Sequence, residues 1–202
     1  YYLSEAAAYG RDILYDQNGK WNLAIRRTLE AIYQNYTGDR ESQDFKNFEV
    51  YLKRVWFSNG IHHHYGCDKF VPEFSQEFFT EAVKSLDPKT LPLTTGASVD
   101  DLLNTLTPVI FDSSVMPKRV NQAAGEDLIV TSAGNYYDGV TQAEAEAFYN
   151  KMKNPKDETP ISYGLNSRLV KRDGKIVEET YKVGGLYTEA IEKIVYWLEK
   201  AA

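Results

Sequence analysis

All three histidines of this 202-residue chain stand in one run, His62 to His64, three residues before the only cysteine, Cys67. Imidazole and thiolate are zinc ligands, so the run could form a metal site. Consecutive residues of an extended segment point to alternate sides, however, and only His62 and His64 would then share a face. Zinc would also need ligands from Cys67, Asp68 or Glu73. The spacing disfavours a metal site at His62, His64 and Cys67, and favours histidines that form hydrogen bonds in a polar loop at the wall of a cleft.

Nucleophilic catalysis is the second chemistry that this run suggests. Cys67 with a neighbouring histidine is the obvious pair, but the base of such a pair usually comes from elsewhere in the chain, where there is no further histidine. The paired carboxylates Asp100–Asp101 and Glu178–Glu179 stand in segments predicted to be solvated, where charge runs are usually surface. We therefore expect no catalytic residue in this chain.

Composition narrows the classes of partner. The net charge is −6, whereas binding to nucleic acid or to an anionic membrane needs clustered Lys and Arg, so we expect neither partner. No apolar run reaches the roughly 18 to 20 residues that span a bilayer. The chain opens without Met and already in a helical pattern, so we interpret it as part of a longer protein. The compartment stays open.

The elements that precede the histidine run, and that must position it, are predicted to be helical. Three helical segments cover Tyr1 to about Trp56, with breaks near Gly19 and Gly38, which supply turn chemistry. The third segment carries one apolar stripe, which must pack against other elements. The stripe consists of Phe45, Phe48, Leu52, Val55 and Trp56.

After the third helix the pattern changes to short elements. Residues 58–74 carry Gly and Pro without a sustained period and are predicted to be a loop between helices. Residues 75–86 are predicted to be a helix, and a further helix begins with Ser98 as its N-cap and an acidic residue three positions later. The segment 108–117, which has a proline at each end, is predicted to be irregular.

The last third of the chain is predicted to combine strands and helices. Residues 127–133 are a strand candidate, and residues 139–153 form a helix opened by a capping box of Thr and Glu. Two extended runs flank Asp173-Gly174, which predicts a tight hairpin. A final helix covers 188–202 with one apolar face. The fold class is therefore α+β, in one fragment whose residues 1–124 are mainly helical and whose residues 125–202 run strand, helix, hairpin, helix.

The peptide SNGIHHHYGCDKFVP resembles a segment of the dipeptidyl peptidase III family. That segment has a Ser-Asn pair, then a loop that ends in an aromatic residue, Gly, a short polar pair and Lys-Phe-Val-Pro. The first helix and the strand, helix and strand near residues 131–171 are similar to the family in the same order. About 1–72 and 125–202 are covered, and 73–124 is mostly unmatched. The matching residues are Ser58, Asn59, Tyr65, Gly66, Lys69, Phe70, Val71 and Pro72 in the loop, Leu3, Ser4, Ala6, Ala7, Tyr9 and Gly10 in the first helix, and Gly134, Asn135, Thr141, Ala143, Asn166, Arg168 and Leu169 near the end.

The resemblance, closest to the bacterial branch, implies a two-lobed zinc exopeptidase that releases dipeptides from the N-terminus of oligopeptides. The family holds its zinc on a His-Glu-x-x-Gly-His type helix and a later glutamate, and the motif's own glutamate activates water. This sequence contains no His-Glu pair. The resemblance therefore implies the N-terminal, substrate-binding lobe, with zinc and all catalytic groups in a missing catalytic lobe. It implies no cofactor and no peptidase activity in these 202 residues, and a cytoplasmic location, with the periplasm left open.

By resemblance, Tyr65 is the aromatic residue that lies against the first residues of an oligopeptide substrate. Asn59, His64 and Gly66 are further substrate-binding candidates. The partners implied are the oligopeptide and the catalytic lobe, and an incomplete sheet would expose an edge that favours dimerisation. Two alternatives stay open: a non-catalytic peptide-binding or protein-interaction module, and a metal-binding protein that uses His62, His64 and Cys67.

Overall fold

The computed structural model describes all 202 residues and contains seven helices and a small three-stranded mixed sheet. The predicted α+β class with a helical N-terminal part is confirmed. The chain forms two compact units. Helix α1 (Tyr2–Asn18) belongs, up to Gln17, to the unit that also contains the C-terminal part of the chain from Val120. We call Asn18–Arg119 the helical unit and Tyr1–Gln17 with Val120–Ala202 the mixed unit. None of the helices has the length and apolar character required to cross a membrane.

The helical unit is built from four further α-helices with local start signals. Three of them begin after a serine whose hydroxyl accepts a backbone N–H bond, as N-cap residues do. Ser98 is the N-cap, as predicted, and it forms a capping box with Asp101. A 3-10 turn, Pro88–Thr90, separates the last two helices. The helices are α2 (Asn22–Asn35), α3 (Gln43–Ser58), α4 (Gln76–Lys84) and α5 (Val99–Phe111).

The predicted apolar stripe of α3 forms the core of the helical unit, with one exception. Trp56 lies at the edge of the stripe, partly exposed, and its Nε1 donates to Glu30 Oε1 at 2.8 Å. The indole needs a partner for its N–H, and a position at the boundary of the core supplies one. The other four stripe residues, Phe45, Phe48, Leu52 and Val55, are buried.

Helix α5 corrects the prediction of irregular structure from residue 108. The helix continues through Pro108 to Phe111, and Asp112 follows as its C-cap. Leu106, Val109 and Ile110 are buried around the proline. Burial of this apolar face outweighs the loss of one backbone N–H donor at Pro108, so the helix ends four residues later than the proline alone indicates.

The mixed unit contains the sheet. Strands β1 and β2 are parallel, β2 and β3 are antiparallel, and a helix connects β1 to β2. Asp173 and Gly174 both have positive φ, which the tight turn between β2 and β3 requires, so the predicted hairpin is confirmed. The predicted capping box of Thr141 and Glu144 is also present. The elements are β1 (Tyr137–Asp138), α6 (Gln142–Asn150), β2 (Ser167–Arg172), β3 (Lys175–Thr180) and α7 (Thr188–Ala201).

The predicted strand at 127–133 is wrong. The Asp127 carboxylate accepts hydrogen bonds from the backbone N–H groups of Ile129, Val130 and Gln142, and Thr131 N donates to the Asp127 carbonyl. This aspartate binds its own backbone and folds the segment into turns. The apolar residues that suggested a strand are thereby placed in a turn that leads to the two-residue strand β1.

Polar and aromatic contacts join α1 to the rest of the mixed unit. The Asp16 carboxylate accepts from Tyr187 Oη at 2.5 Å and from Asn135 Nδ2 at 3.1 Å. The Tyr2 ring stacks on Trp197 with 6.0 Å between centroids. Helix α7 buries none of its residues, although its predicted apolar face is present. The N-terminal helix is therefore held by α7 and by the segment before β1.

The first prediction concerns Tyr51, which is 2% exposed and whose hydroxyl has no hydrogen-bond partner in the protein. Burial raises the pKa of the Tyr51 phenol. The Tyr51 phenol ionises near pH 10 in the unfolded chain but stays neutral in the folded chain. Its contribution to the free energy of unfolding is therefore fully present below about pH 10 and is lost as the pH rises above that value. Tyr51→Phe should raise the free energy of unfolding at pH 7 by up to about 1 kcal/mol and weaken this alkaline loss.

Urea denaturation of both proteins between pH 7 and pH 11 measures this effect. Tyr65→Phe is the matched control, because Tyr65 is exposed. A fall of more than about 1 kcal/mol at pH 7 in Tyr51→Phe would show that the hydroxyl makes a stabilising contact, contrary to our expectation.

Candidate functional site

The histidine run lies in a loop that begins directly after α3; we call His62–Lys69 the histidine loop. Asn59 ends α3 in the left-handed conformation (φ 52°), and its carbonyl accepts from Asn18 Nδ2 at 3.0 Å. Asparagine tolerates this backbone, so Asn59 acts here as a helix C-cap. A Cβ at the next residue, Gly60, would lie 2.5 Å from Asn22 Nδ2, so only glycine fits there.

Backbone hydrogen bonds fold the histidine loop into a short hairpin. His62 and Lys69 face each other in an antiparallel bridge, and His63 N donates to Asp68 O at 2.8 Å. A second bridge joins Asp68 to Lys118, and the Lys118 ammonium also binds the Asp68 carboxylate at 2.8 Å. That hydrogen bond lowers the pKa of Asp68. The hairpin is thus fixed on both sides, and its tip is the turn at His64–Gly66.

Lys69 attaches the loop to the C-terminal end of α5. Its Nζ donates to the carbonyls of Val109 at 3.0 Å, Val115 at 2.6 Å and Asp112. These bonds use all three N–H donors of an ammonium group. One satisfies the Val109 carbonyl, which the helix end leaves free, and the other two hold the segment that follows the helix. Burial lowers the pKa of Lys69, and the charge of Asp112 opposes this effect. The lysine of the Lys-Phe-Val-Pro motif is therefore a structural anchor of the loop.

His62 is buried in the helical unit and is 2% exposed. Its Nε2 lies 2.8 Å from the Met116 carbonyl, which can only accept, so Nε2 carries the proton. Its Nδ1 is buried and has no protein partner. Burial lowers the pKa of His62, and the Met116 hydrogen bond opposes this in part. His62 is accordingly a neutral core histidine.

His63 and His64 lie on the same side of the loop, contrary to the alternation expected for an extended segment. Their rings stack with 4.7 Å between centroids, because the chain turns at His64. His63 Nδ1 accepts from the backbone N–H groups of Tyr65 and Gly66, at 3.2 and 3.1 Å. His64 Nδ1 lies 3.3 Å from Ser58 Oγ. Both rings are thus held by hydrogen bonds while remaining at the surface.

Tyr65 occupies the tip of the loop and is 84% exposed. Its ring centroid lies 4.2 Å from that of His64, and His64 lies 4.9 Å from Phe57, which is 75% exposed. We call Phe57, His64 and Tyr65 the aromatic row. Gly66 is exposed, and a Cβ there would make only ordinary contacts, so its small size is not required by the fold.

The metal candidates His62, His64 and Cys67 do not surround a common point. His62 faces Met116, His64 faces Ser58, and the Cys67 thiol lies 3.6 Å from the Tyr65 carbonyl and 3.5 Å from an Arg119 nitrogen. Nowhere in the chain do three His, Cys, Asp or Glu side chains form a group that could hold a metal ion. The structure therefore does not bring the three metal candidates together.

A groove of about 450 Å³ lies beside the aromatic row, and we call it the α3 groove. One wall comes from the outer face of α3, where Val50, Lys53, Arg54 and Phe57 recur at helical spacing. The histidine loop and Phe70 form the other wall. Sequence reasoning missed this groove, although a second stripe opposite the buried stripe of α3 was a signal for it. Its lining is Val50, Lys53, Arg54, Phe57, Ser58, His63, His64 and Phe70.

No protein-family model matches the chain, and a search of curated proteins gave no match either. The resemblance to the dipeptidyl peptidase III family therefore stays a prediction. It rests on the three sequence blocks described above.

Lys69→Met should destabilise the helical unit by about 1–3 kcal/mol, because three carbonyls at and just after the end of α5 lose a charged donor. Thermal and urea unfolding measure the change. Lys89→Met is the matched control, because Lys89 lies exposed in the 3-10 turn. Equal stability of the two variants would contradict the role of Lys69 as an anchor.

Because of His62, the stability of the folded chain should fall in acid. Its folded pKa is depressed, so its contribution is present above the unfolded pKa of about 6.5 and is lost as the pH falls below that value. The loss is at most about 1.4 kcal/mol per pH unit for one proton. His62→Gln keeps an N–H donor for Met116 but cannot gain a proton, so its stability should vary less between pH 7 and pH 5.

Urea denaturation across this pH range tests the expectation for His62→Gln. The wild type, measured in parallel, supplies the reference slope. An unchanged slope in His62→Gln would assign the acid sensitivity to other groups.

Proposed function

We propose that this chain is the peptide-binding part of a zinc-dependent dipeptidyl peptidase of the dipeptidyl peptidase III type. In this proposal the histidine loop and the α3 groove receive the N-terminal part of an oligopeptide, with Tyr65 against the first residues. Zinc and the groups that cleave the peptide belong to a catalytic lobe outside these 202 residues, and the chain alone does not hydrolyse peptides.

One observation carries the proposal: an exposed aromatic tip is held on a rigidly anchored loop beside a groove. Large exposed aromatic side chains are costly to leave in water, and at binding sites they supply contact area with little loss of conformational entropy. The anchors at Lys69, His62 and Asp68 fix the loop before a ligand arrives. A preorganised loop loses less entropy on binding, which favours a recognition role.

The volume of the groove also suits a peptide. About 450 Å³ lies within the range of small-ligand sites, and such sites combine an apolar lining with a few polar groups. Here Val50, Phe57 and Phe70 supply apolar surface, and His63 and His64 supply ring nitrogens. A peptide that varies in sequence can place side chains on the apolar surface while polar groups hold its backbone.

Asn59 and Gly66 take lesser parts in this proposal. Asn59 caps α3 and aims the loop, so it acts as a positioning residue. Gly66 leaves the tip open next to Tyr65. His64 connects the two ends of the aromatic row, and we assign it direct contact with the peptide.

A non-catalytic peptide-binding module is the second candidate. The same loop and groove favour it, because peptide binding at these residues requires no reactive group. Incubation of the chain with zinc and a dipeptidyl naphthylamide substrate, alone and with an added catalytic lobe of the family, separates the two. Cleavage that appears only with the added lobe favours the peptidase.

The proposal predicts that Tyr65→Ala weakens binding of an oligopeptide by about tenfold, the size expected when an exposed aromatic contact residue is truncated. Titration calorimetry with a pentapeptide that has a free N-terminus measures the dissociation constant. Val71→Ala is the control, because Val71 is 70% exposed in the next segment and is not part of the aromatic row. Unchanged affinity in Tyr65→Ala would remove the loop tip from the binding site.

A further inference from the structure

We infer that the α3 groove selects peptide segments in which an acidic side chain stands next to an aromatic or large apolar one. The inference rests on the proposed function and adds to it the chemical class of the ligand. Its basis is the juxtaposition, along one face of α3, of two cationic side chains with two exposed apolar ones.

The outer face of α3 alternates the two kinds of surface. Val50 and Phe57 stand two helical turns apart, and Lys53 and Arg54 lie between them. A ligand that covers Phe57 with an apolar side chain therefore brings its next residue within reach of the two cations. An aromatic residue followed by a carboxylate matches this order of surfaces.

The carboxylates of the protein hold these cations only loosely. Lys53 Nζ lies 3.8 Å from Glu49, and Arg54 lies 3.7 Å from Glu73. Both distances exceed that of a hydrogen bond, so the strong charge-assisted contacts of the ammonium and guanidinium groups are not made there. A ligand carboxylate that lies in plane with the Arg54 guanidinium could form two hydrogen bonds and replace the looser pair.

The sign of the charge at the groove also differs from that of the chain. The chain carries a net charge of −6, yet the lining of the α3 groove contains Lys53 and Arg54 and no Asp or Glu. Glu49 and Glu73 are the nearby acidic partners named above, and they lie outside the lining. The charged groups that face the groove are thus both cationic, which favours an anionic ligand side chain at this place.

The apolar wall explains why a simple anion is not the expected ligand. Phe57 is 75% exposed beside His64, and Val50 is also exposed. An inorganic anion would leave both in water, whereas a peptide with an aromatic residue covers them. Burial of an aromatic ring on this surface adds to the affinity that the charge pair supplies.

Two pentapeptides test the inference: one with a central Phe-Asp pair, and a counterpart with Phe-Asn, both with a free N-terminus and an amidated C-terminus. They differ in one carboxylate. At low ionic strength we expect the wild-type chain to bind the Phe-Asp peptide about five- to tenfold more tightly. The difference should shrink in 0.5 M NaCl, because both cations are partly exposed and salt screens them.

The double variant Lys53→Gln, Arg54→Gln should bind both peptides with the affinity that the wild type has for Phe-Asn. Lys89→Gln is the matched control, since Lys89 is exposed and does not line the groove, and it should keep the preference. Circular dichroism verifies that each variant is folded. A preference that persists in the double variant would overturn the assignment to Lys53 and Arg54.

The outcomes also separate this inference from the proposed function. If the wild type binds both peptides equally and Tyr65→Ala loses this binding, the acidic preference is overturned and the peptide-binding role of the loop is supported. A preference that depends on Lys53 and Arg54 but not on Tyr65 would support the groove and contradict the role of the loop tip. Binding of neither peptide at millimolar concentration would overturn both.

Discussion

The three hydrogen bonds of the Lys69 ammonium are the constraint on which the histidine loop depends. The end of α5 leaves carbonyl groups without helical partners, and it is the negative end of the helix dipole, so a cation is stabilised there. The same lysine stands in the bridge opposite His62. One side chain therefore satisfies a helix end and fixes the base of a loop whose tip lies in solvent. The neighbouring bridge from Asp68 to Lys118 adds a second attachment.

Helix α3 serves two surfaces at once. Its inner stripe packs into the core of the helical unit, and its outer stripe, from Val50 to Phe57, lines the groove. Because the helix is held by its buried side, the outer residues need not contribute to stability and are free to contact a ligand. Burial of the inner stripe thus gives a fixed position to side chains that are themselves in water.

The sequence predicted those features of the fold that depend on interactions between neighbouring residues. The N-cap at Ser98, the capping box at Thr141 and the turn at Asp173-Gly174 act within four residues, and the structure contains all three. Two errors came from competition between local signals and other interactions. Burial around Pro108 extended α5, and the carboxylate of Asp127 turned a strand-like run on itself. At the site, the role of Lys69 depends on carbonyls 40 to 46 residues away along the chain, and spacing gives no indication of such a contact. The loose cation pairs on α3 were equally invisible, because the distance between charged groups is a property of the folded chain.

Three residues that border the histidine loop or lie within it have left-handed backbone conformations without being glycine: Asn59, Cys67 and Met116. Asparagine tolerates this conformation, but at Cys67 and Met116 it costs on the order of 1 kcal/mol, so the surrounding hydrogen bonds must impose it there. The shape of the loop is consequently set by the residues at its base. The side chain at position 65 makes no hydrogen bond that holds this shape, so evolution could replace it with another side chain and change what the loop recognises without changing how the loop is built.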